Sequence, residues 1–216
     1  MPIEHLVNRS EALDDAIVAL LGGDAYRHVA TPVRAGASAV AAGVSLEHAR
    51  ALRVLIANAL PSSAIALMRL QFEAVTRAVW LLHVADDDQV ALVLAPLSAE
   101  TERSARKLPM VSKMLAALDA CPATGAAAPT AMLNRFKAMQ LHVLNSFVHG
   151  GIHPLQRHRD GYPVAMLRQV LQSSNGLMTM SGMVLAVLTG NQLLATRMNR
   201  IHAGFEDCMP ELLASY

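Results

Sequence analysis

Residues 63–85 read SAIALMRLQFEAVTRAVWLLHVA, and between the ends of this run only Arg69, Glu73, Arg77 and His83 can carry charge. There is no glycine or proline to interrupt it, and apolar side chains fall on nearly every face. Such a run is satisfied as an α-helix, and a helix that is apolar almost all round belongs at the centre of a bundle. Long central helices set the expectation for the rest of the chain.

Composition agrees. Hydrophobic residues make up 53%, charged residues 16% and aromatic residues 4%. The apolar excess is rich in alanine, leucine and methionine, strong helix formers, and alternating strand patterns are nearly absent. The expected class is all-α, a helical bundle with long central antiparallel helices. At 216 residues the chain fits a single helical domain spanning 1–216, with a core at about 45–205 and N-terminal helices at 3–44 packed on it.

Capping residues and breakers divide the chain. Ser10 reads as an N-cap and Gly22-Gly23 as a stop for the first helix. Thr31-Pro32 opens a second, Gly43 breaks it, and Ser45 starts a third that runs to Leu60. After the central run, Asp86 caps a short helix stopped at Pro96, and pieces at 98–107 and 110–120 follow. Residues 121–129 (CPATGAAAP) read as a flexible loop. Thr130 caps a helix ending at His149 before Gly150-Gly151. Residues 153–163 read as a loop, and a long helical stretch with a kink at Asn175-Gly176 extends towards Phe205.

The net charge of +1 gives no global electrostatic case for nucleic acid or an anionic membrane. Residues 169–196 carry no charge, but Gln172, Ser173, Ser174, Asn175, Ser181 and Asn191 interrupt them, which suits a buried or dimer-interface helix rather than a membrane span. Cys121 and Cys208 read as reduced thiols, and with no signal peptide the expected location is cytoplasmic. High apolarity with few charges implies that a second subunit covers some helix surface, so a homodimer is expected.

Two constellations carry polar chemistry. Arg69, Glu73 and Arg77 lie at i, i+4 and i+8, so Glu73 can bridge both arginines, and Trp80 extends the stripe. As a solvated edge the ladder is structural. Partly buried, it leaves guanidinium donors for an anion. On the helix before the double glycine, His142, Asn145, Ser146 and His149 share a face, residue types used for acid–base chemistry and phosphate contact. His142 reads as a core or boundary residue. His149 sits at the helix C-terminus, where the macrodipole favours its cation. The double glycine behind it permits a sharp turn or a close approach. His142, His149 and His153 lack a carboxylate and a recognised spacing, so no metal is expected. With no phosphate-binding glycine loop and no nucleophile elbow, no cofactor is expected either. Arg157, His158 and Arg159 form a small basic patch.

The pair RLQFEAVTRAVWLL and LNSFVHGGIHPLQRH resembles an uncharacterised bacterial family of helical proteins of unknown function and, more distantly, is similar to HEPN-like four-helix domains. The resemblance spans roughly residues 45–159. HEPN ribonucleases use an Arg, a polar residue directly after it, and a His four residues beyond that, near a dimer interface. Asn145 and His149 match the last two, and Leu144 stands at the Arg position. The resemblance implies one of two functions. One is a non-catalytic or degenerate HEPN-like module, with Arg69, Glu73, Arg77 and His149 tying two central helices together and binding a small anionic ligand or partner. The other is a metal-independent ribonuclease, with His149 as general acid/base, Asn145 and Ser146 orienting the phosphate and Arg77 stabilising charge.

Overall fold

In a computed structural model, residues 2–22 and 33–211 are described. They form an all-α bundle of ten α-helices and two short 3-10 turns, with no strand among the described residues. None of these helices is long and apolar enough to cross a membrane. The Thr31-Pro32 cap lies outside the described residues.

Helix α1 (Ile3–Leu21) starts seven residues before the expected cap. Leu6, Leu13, Ile17 and Leu21 make its buried stripe, and Ser10 lies within that stripe. Its hydroxyl proton goes back into the helix, donated to the Leu6 carbonyl at 2.8 Å. Helix α2 (Val33–Ala57) runs unbroken through Gly43. A mid-helix glycine costs about 1 kcal/mol. Burial of Ala41, Ala42, Ser45 and Leu46 on either side outweighs that. Ser45 is a bridge rather than a cap, donating to the Gln71 carbonyl at 3.3 Å and accepting from Ser181 Oγ at 2.8 Å.

A tight turn joins α2 to α3 (Pro61–His83). Leu60 N–H reaches back to the Leu55 carbonyl and Ala59 N–H to that of Ile56, a Schellman closure. Ala59 takes φ 58° there, while Gly22, Gly150, Gly161 and Gly190 occupy the other left-handed positions among the described residues. An alanine in that region costs about 1 kcal/mol relative to the ordinary helical basin.

Helix α3 is the central element, as its sequence requires. Phe72, Val75, Ala78, Val79, Trp80 and Leu81 are buried. At its end Arg34 donates to the Leu81 and Ala85 carbonyls, supplying the cation that a helix C-terminus favours. Asp86 then caps α4 (Asp87–Leu94) in a reciprocal pair with Gln89. Helices α5 (Ala99–Ala105) and α6 (Val111–Asp119) follow.

Helix α7 (Thr124–Val148) takes in most of the segment read as a loop, with Pro129 inside it. That proline removes one early hydrogen bond, and flanking alanines, together with burial of Ala126 and Thr130, keep the helix intact. Helix α8 (Ile152–Asp160) also replaces an expected loop. Pro154 falls in its first turn, where N–H groups have no intrahelical partner to lose. None of its residues is buried, so no apolar stripe announced it.

Helix α9 (Val164–Leu188) passes through Asn175-Gly176. The buried Asn175 amide donates to Ser10 Oγ and to the Cys208 carbonyl, both at 2.8 Å. A Cβ on Gly176 would lie 3.1 Å from Pro210 Cγ. The Asn-Gly pair therefore docks α1 and the C-terminal segment onto α9. Its other polar residues serve likewise: Gln71 Nε2 donates to the Ser174 carbonyl at 2.9 Å and Ser174 Oγ returns to Gln71 Oε1 at 2.7 Å. The chain stops at Gly190 (φ 68°) and resumes as α10 (Gln192–Arg200), capped by Asn191. Residues 201–204 and 206–208 then form 3-10 turns. Arg9 fastens the last of these to α1, donating to Asp207 Oδ2 at 2.7 Å and the Gly204 carbonyl at 2.6 Å, with its guanidinium over the Phe205 ring.

Candidate functional site

Helices α3 and α7 run antiparallel in a fixed register. Phe72 stacks on Phe136 with centroids 4.7 Å apart, and a Cβ on Gly125 would touch the His83 ring. Side chains on a helix lean towards its N-terminus. Arg69 on α3 therefore leans towards the C-terminal turns of α7, where Asn145 stands.

The two polar constellations meet there. Arg69 Nε donates to Asn145 Oδ1 at 2.9 Å, and its Nη1 donates to Glu73 Oε2 at 2.9 Å. Arg77 Nη2 donates to Glu73 Oε1 at 3.2 Å. Glu73 thus bridges both arginines, as the i, i+4, i+8 spacing requires. The Arg69 side chain is 11% exposed, with Glu73 and Arg77 near one quarter. At that depth the ladder is only partly exposed, and salt screens it less than a surface pair.

Trp80 does not extend the ladder outward; it is 3% exposed, within the core. Arg77 and His149 do not converge either. With Phe72 opposite Phe136, Arg77 is level with about residue 131 of α7, so roughly 25 Å of helix rise separates it from His149. Arg69 is the arginine that reaches the Asn145 end of the seam. Leu144 is 2% exposed, so the position that would carry an arginine by resemblance faces the core.

His149 is exposed at the end of α7, and its N–H completes the helix by donating to the Asn145 carbonyl at 3.0 Å. Behind it the two glycines have separate roles. Gly150 turns the chain at φ 65°. Gly151 sits so close to Ser146 that a Cβ would lie 3.2 Å from the Ser146 Cα and closer still to its hydroxyl. Ser146 Oγ accepts from His153 N–H at 3.2 Å, holding the first turn of α8 against α7. His142 is exposed rather than at a core boundary, edge-on to His153 with ring centroids 6.2 Å apart.

A pocket of about 120 Å³ lies beside the seam, lined by Met68, Met139, Met166, Gln140 and Gln169 among others. A larger cleft of about 520 Å³ lies where α1, the α2–α3 turn and the start of α9 meet, with Tyr162 on its wall. Tyr162 shares a hydrogen bond with Ser62 across that junction. The sequence reading missed this cleft. Its residues come from three distant segments with no shared spacing, and the left-handed Ala59 only becomes visible in the backbone.

A second, partly buried ion cluster joins α1 to α2, with no spacing in the sequence to announce it. Asp14 accepts from Arg50 at 2.8 and 2.9 Å and from Arg53 at 3.1 Å. Desolvation pushes its carboxyl upward, but the hydrogen bonds and charges of the two arginines outweigh that and hold it below its ordinary value. Burial lowers His48 and His83.

Among known proteins, no curated protein and no solved structure matches the chain. A family model does, over residues 42–211, which takes in α3, α7, α9 and the whole polar seam. The chain belongs to the family of unknown function DUF6988.

Proposed function

We propose that this protein is a non-catalytic, degenerate HEPN-like module in which the α3–α7 seam is a structural tie and an anionic ligand or partner docks at its outer edge. The module is a single helical domain, with α1 packed on the long central helices and the expected core boundary near residue 45 lying inside the continuous α2. The observation that carries the reading is the bond from Arg69 to Asn145. It engages Arg69 with the amide that a phosphate would need, while Glu73 takes up its charge. Arg77 spends one nitrogen on Glu73, and its remaining donors supply the anion contact. A homodimer is part of this reading. It is supported by the outer face of α7 and α8, where Met132, Met139, Ile152 and Leu155 are each more than half exposed.

One geometry favours the second reading, a metal-independent ribonuclease. Arg69 brings a guanidinium to the residue beside Leu144, and His149 stands exposed one turn, about 6 Å, further along α7. In that reading Arg69, rather than Arg77, would stabilise charge while His149 acts as general acid/base.

The deciding experiment is incubation of labelled total RNA with the purified protein in EDTA, beside a His149→Ala variant. The non-catalytic reading expects no cleavage by either. Cleavage by the native chain that is lost in the variant would replace it with the ribonuclease.

A further inference from the structure

The 520 Å³ cleft at the α1, α2–α3 and α9 junction is of the size that holds small organic molecules. It lies apart from the polar seam, and none of Arg69, Glu73, Asn145 or His149 lines it. Val7, Ile56, Pro61 and Leu167 make its walls aliphatic, and Tyr162 adds an aromatic ring whose hydroxyl is held by Ser62. Among the described residues its only charged lining residue is Glu4, one helical turn from Asn8 on α1, so a carboxylate and an amide stand together on a mostly apolar surface. No ion pair among the described residues engages Glu4.

Ala59, whose left-handed backbone closes α2, stands on the wall of the cleft and keeps its methyl where the other left-handed positions among the described residues are glycine.

We propose that the cleft binds an apolar amine: a hydrocarbon or aromatic body against Val7, Ile56, Leu167 and Tyr162, with its ammonium on Glu4 and Asn8. The charge of the lining selects that class. A carboxylate ligand would meet Glu4 as a like charge, and a neutral one would forgo the ion pair. Tyr162 presents a ring suited to a second contact with a cation.

The test is a titration of the full chain with phenethylamine, phenethyl alcohol and hydrocinnamate, which share a body and differ in charge, followed by methyl chemical shifts. The amine should shift the Val7, Ile56 and Leu167 methyls saturably at millimolar concentration. It should bind roughly fivefold tighter than the alcohol, the worth of an exposed ion pair. Hydrocinnamate should bind weakest. Glu4→Gln, an exposed change that leaves the core intact, should erase the advantage of the amine over the alcohol. Leu167→Trp, which fills the cleft, should abolish the shifts. Equal binding of amine and hydrocinnamate, no saturable shift with any probe, or a charge preference that survives Glu4→Gln overturns the proposal. Shifts that follow protein concentration instead of probe also overturn it and make the cleft a contact between copies.

Discussion

Arg69 Nε donates to Asn145 Oδ1 at 2.9 Å, joining α3 to α7 across 76 residues of sequence. Because Arg69 is mostly buried and also holds Glu73, removing it strands two acceptors. Arg69→Ala should therefore cost about 2 kcal/mol, in the range for hydrogen bonds to charged groups. A double-mutant cycle with Asn145→Ala should give a coupling of about 1 kcal/mol in urea denaturation. Additive losses would mean that the two side chains do not support one another.

Asp14 sets an acid limit. Its folded carboxyl lies below the ordinary value of 3.8, so its stabilisation is complete above that value and is lost as pH falls through the lower, folded one. Asp207 adds in the same direction, because the Arg9 hydrogen bond holds it low. Asp14→Asn should cost about 3 kcal/mol at neutral pH, since it leaves Arg50 and Arg53 without their carboxylate. The gap between the two melting curves should close below about pH 4. A constant gap across that window would show that the Asp14 charge is not what the arginines recognise.

Gly151→Ala should loosen the junction of α7 and α8. The added methyl meets the Ser146 backbone, which cannot swing aside as a side-chain tip would. A cost of about 2 kcal/mol is expected, typical of overpacking. The amide of His153, bonded to Ser146, should exchange with solvent faster. Unchanged exchange there would show that α8 is held by other contacts.

Cys208 should be inert in the folded protein. It is fully buried, and burial pushes its thiol up to about 11. Iodoacetamide at mildly alkaline pH should modify the half-buried Cys121 first and reach Cys208 only after denaturant is added, as read by peptide mass. Equal native rates would place Cys208 at the surface.

The two central helices were legible because their evidence is local. The apolar run around Phe72 needs only its own periodicity, and the Arg69–Glu73–Arg77 ladder follows from the turn of a single helix. The misread elements are those where a distant partner decides. Ser10 reads as a cap until Asn175 arrives to use its hydroxyl, and Gly43 reads as a break until its neighbours are buried. Asn175-Gly176 reads as a kink until Pro210 and Cys208 occupy the space it leaves. Two residues of the expected site, Arg77 and His149, were each placed on the right helix. Only the antiparallel register of α3 and α7 shows them too far apart to act together.

The fastening of Arg9 to Asp207, Gly204 and Phe205 makes the polypeptide a closed loop in mechanical terms. Tension applied between Ile3 and Pro210 would pass from the first turns of α1 into that clasp, and the helices beyond Arg9 would stay unstretched until the clasp opened. Extension should then come in two steps, a small release as Arg9 lets go and a larger one as α1 is drawn away from α9.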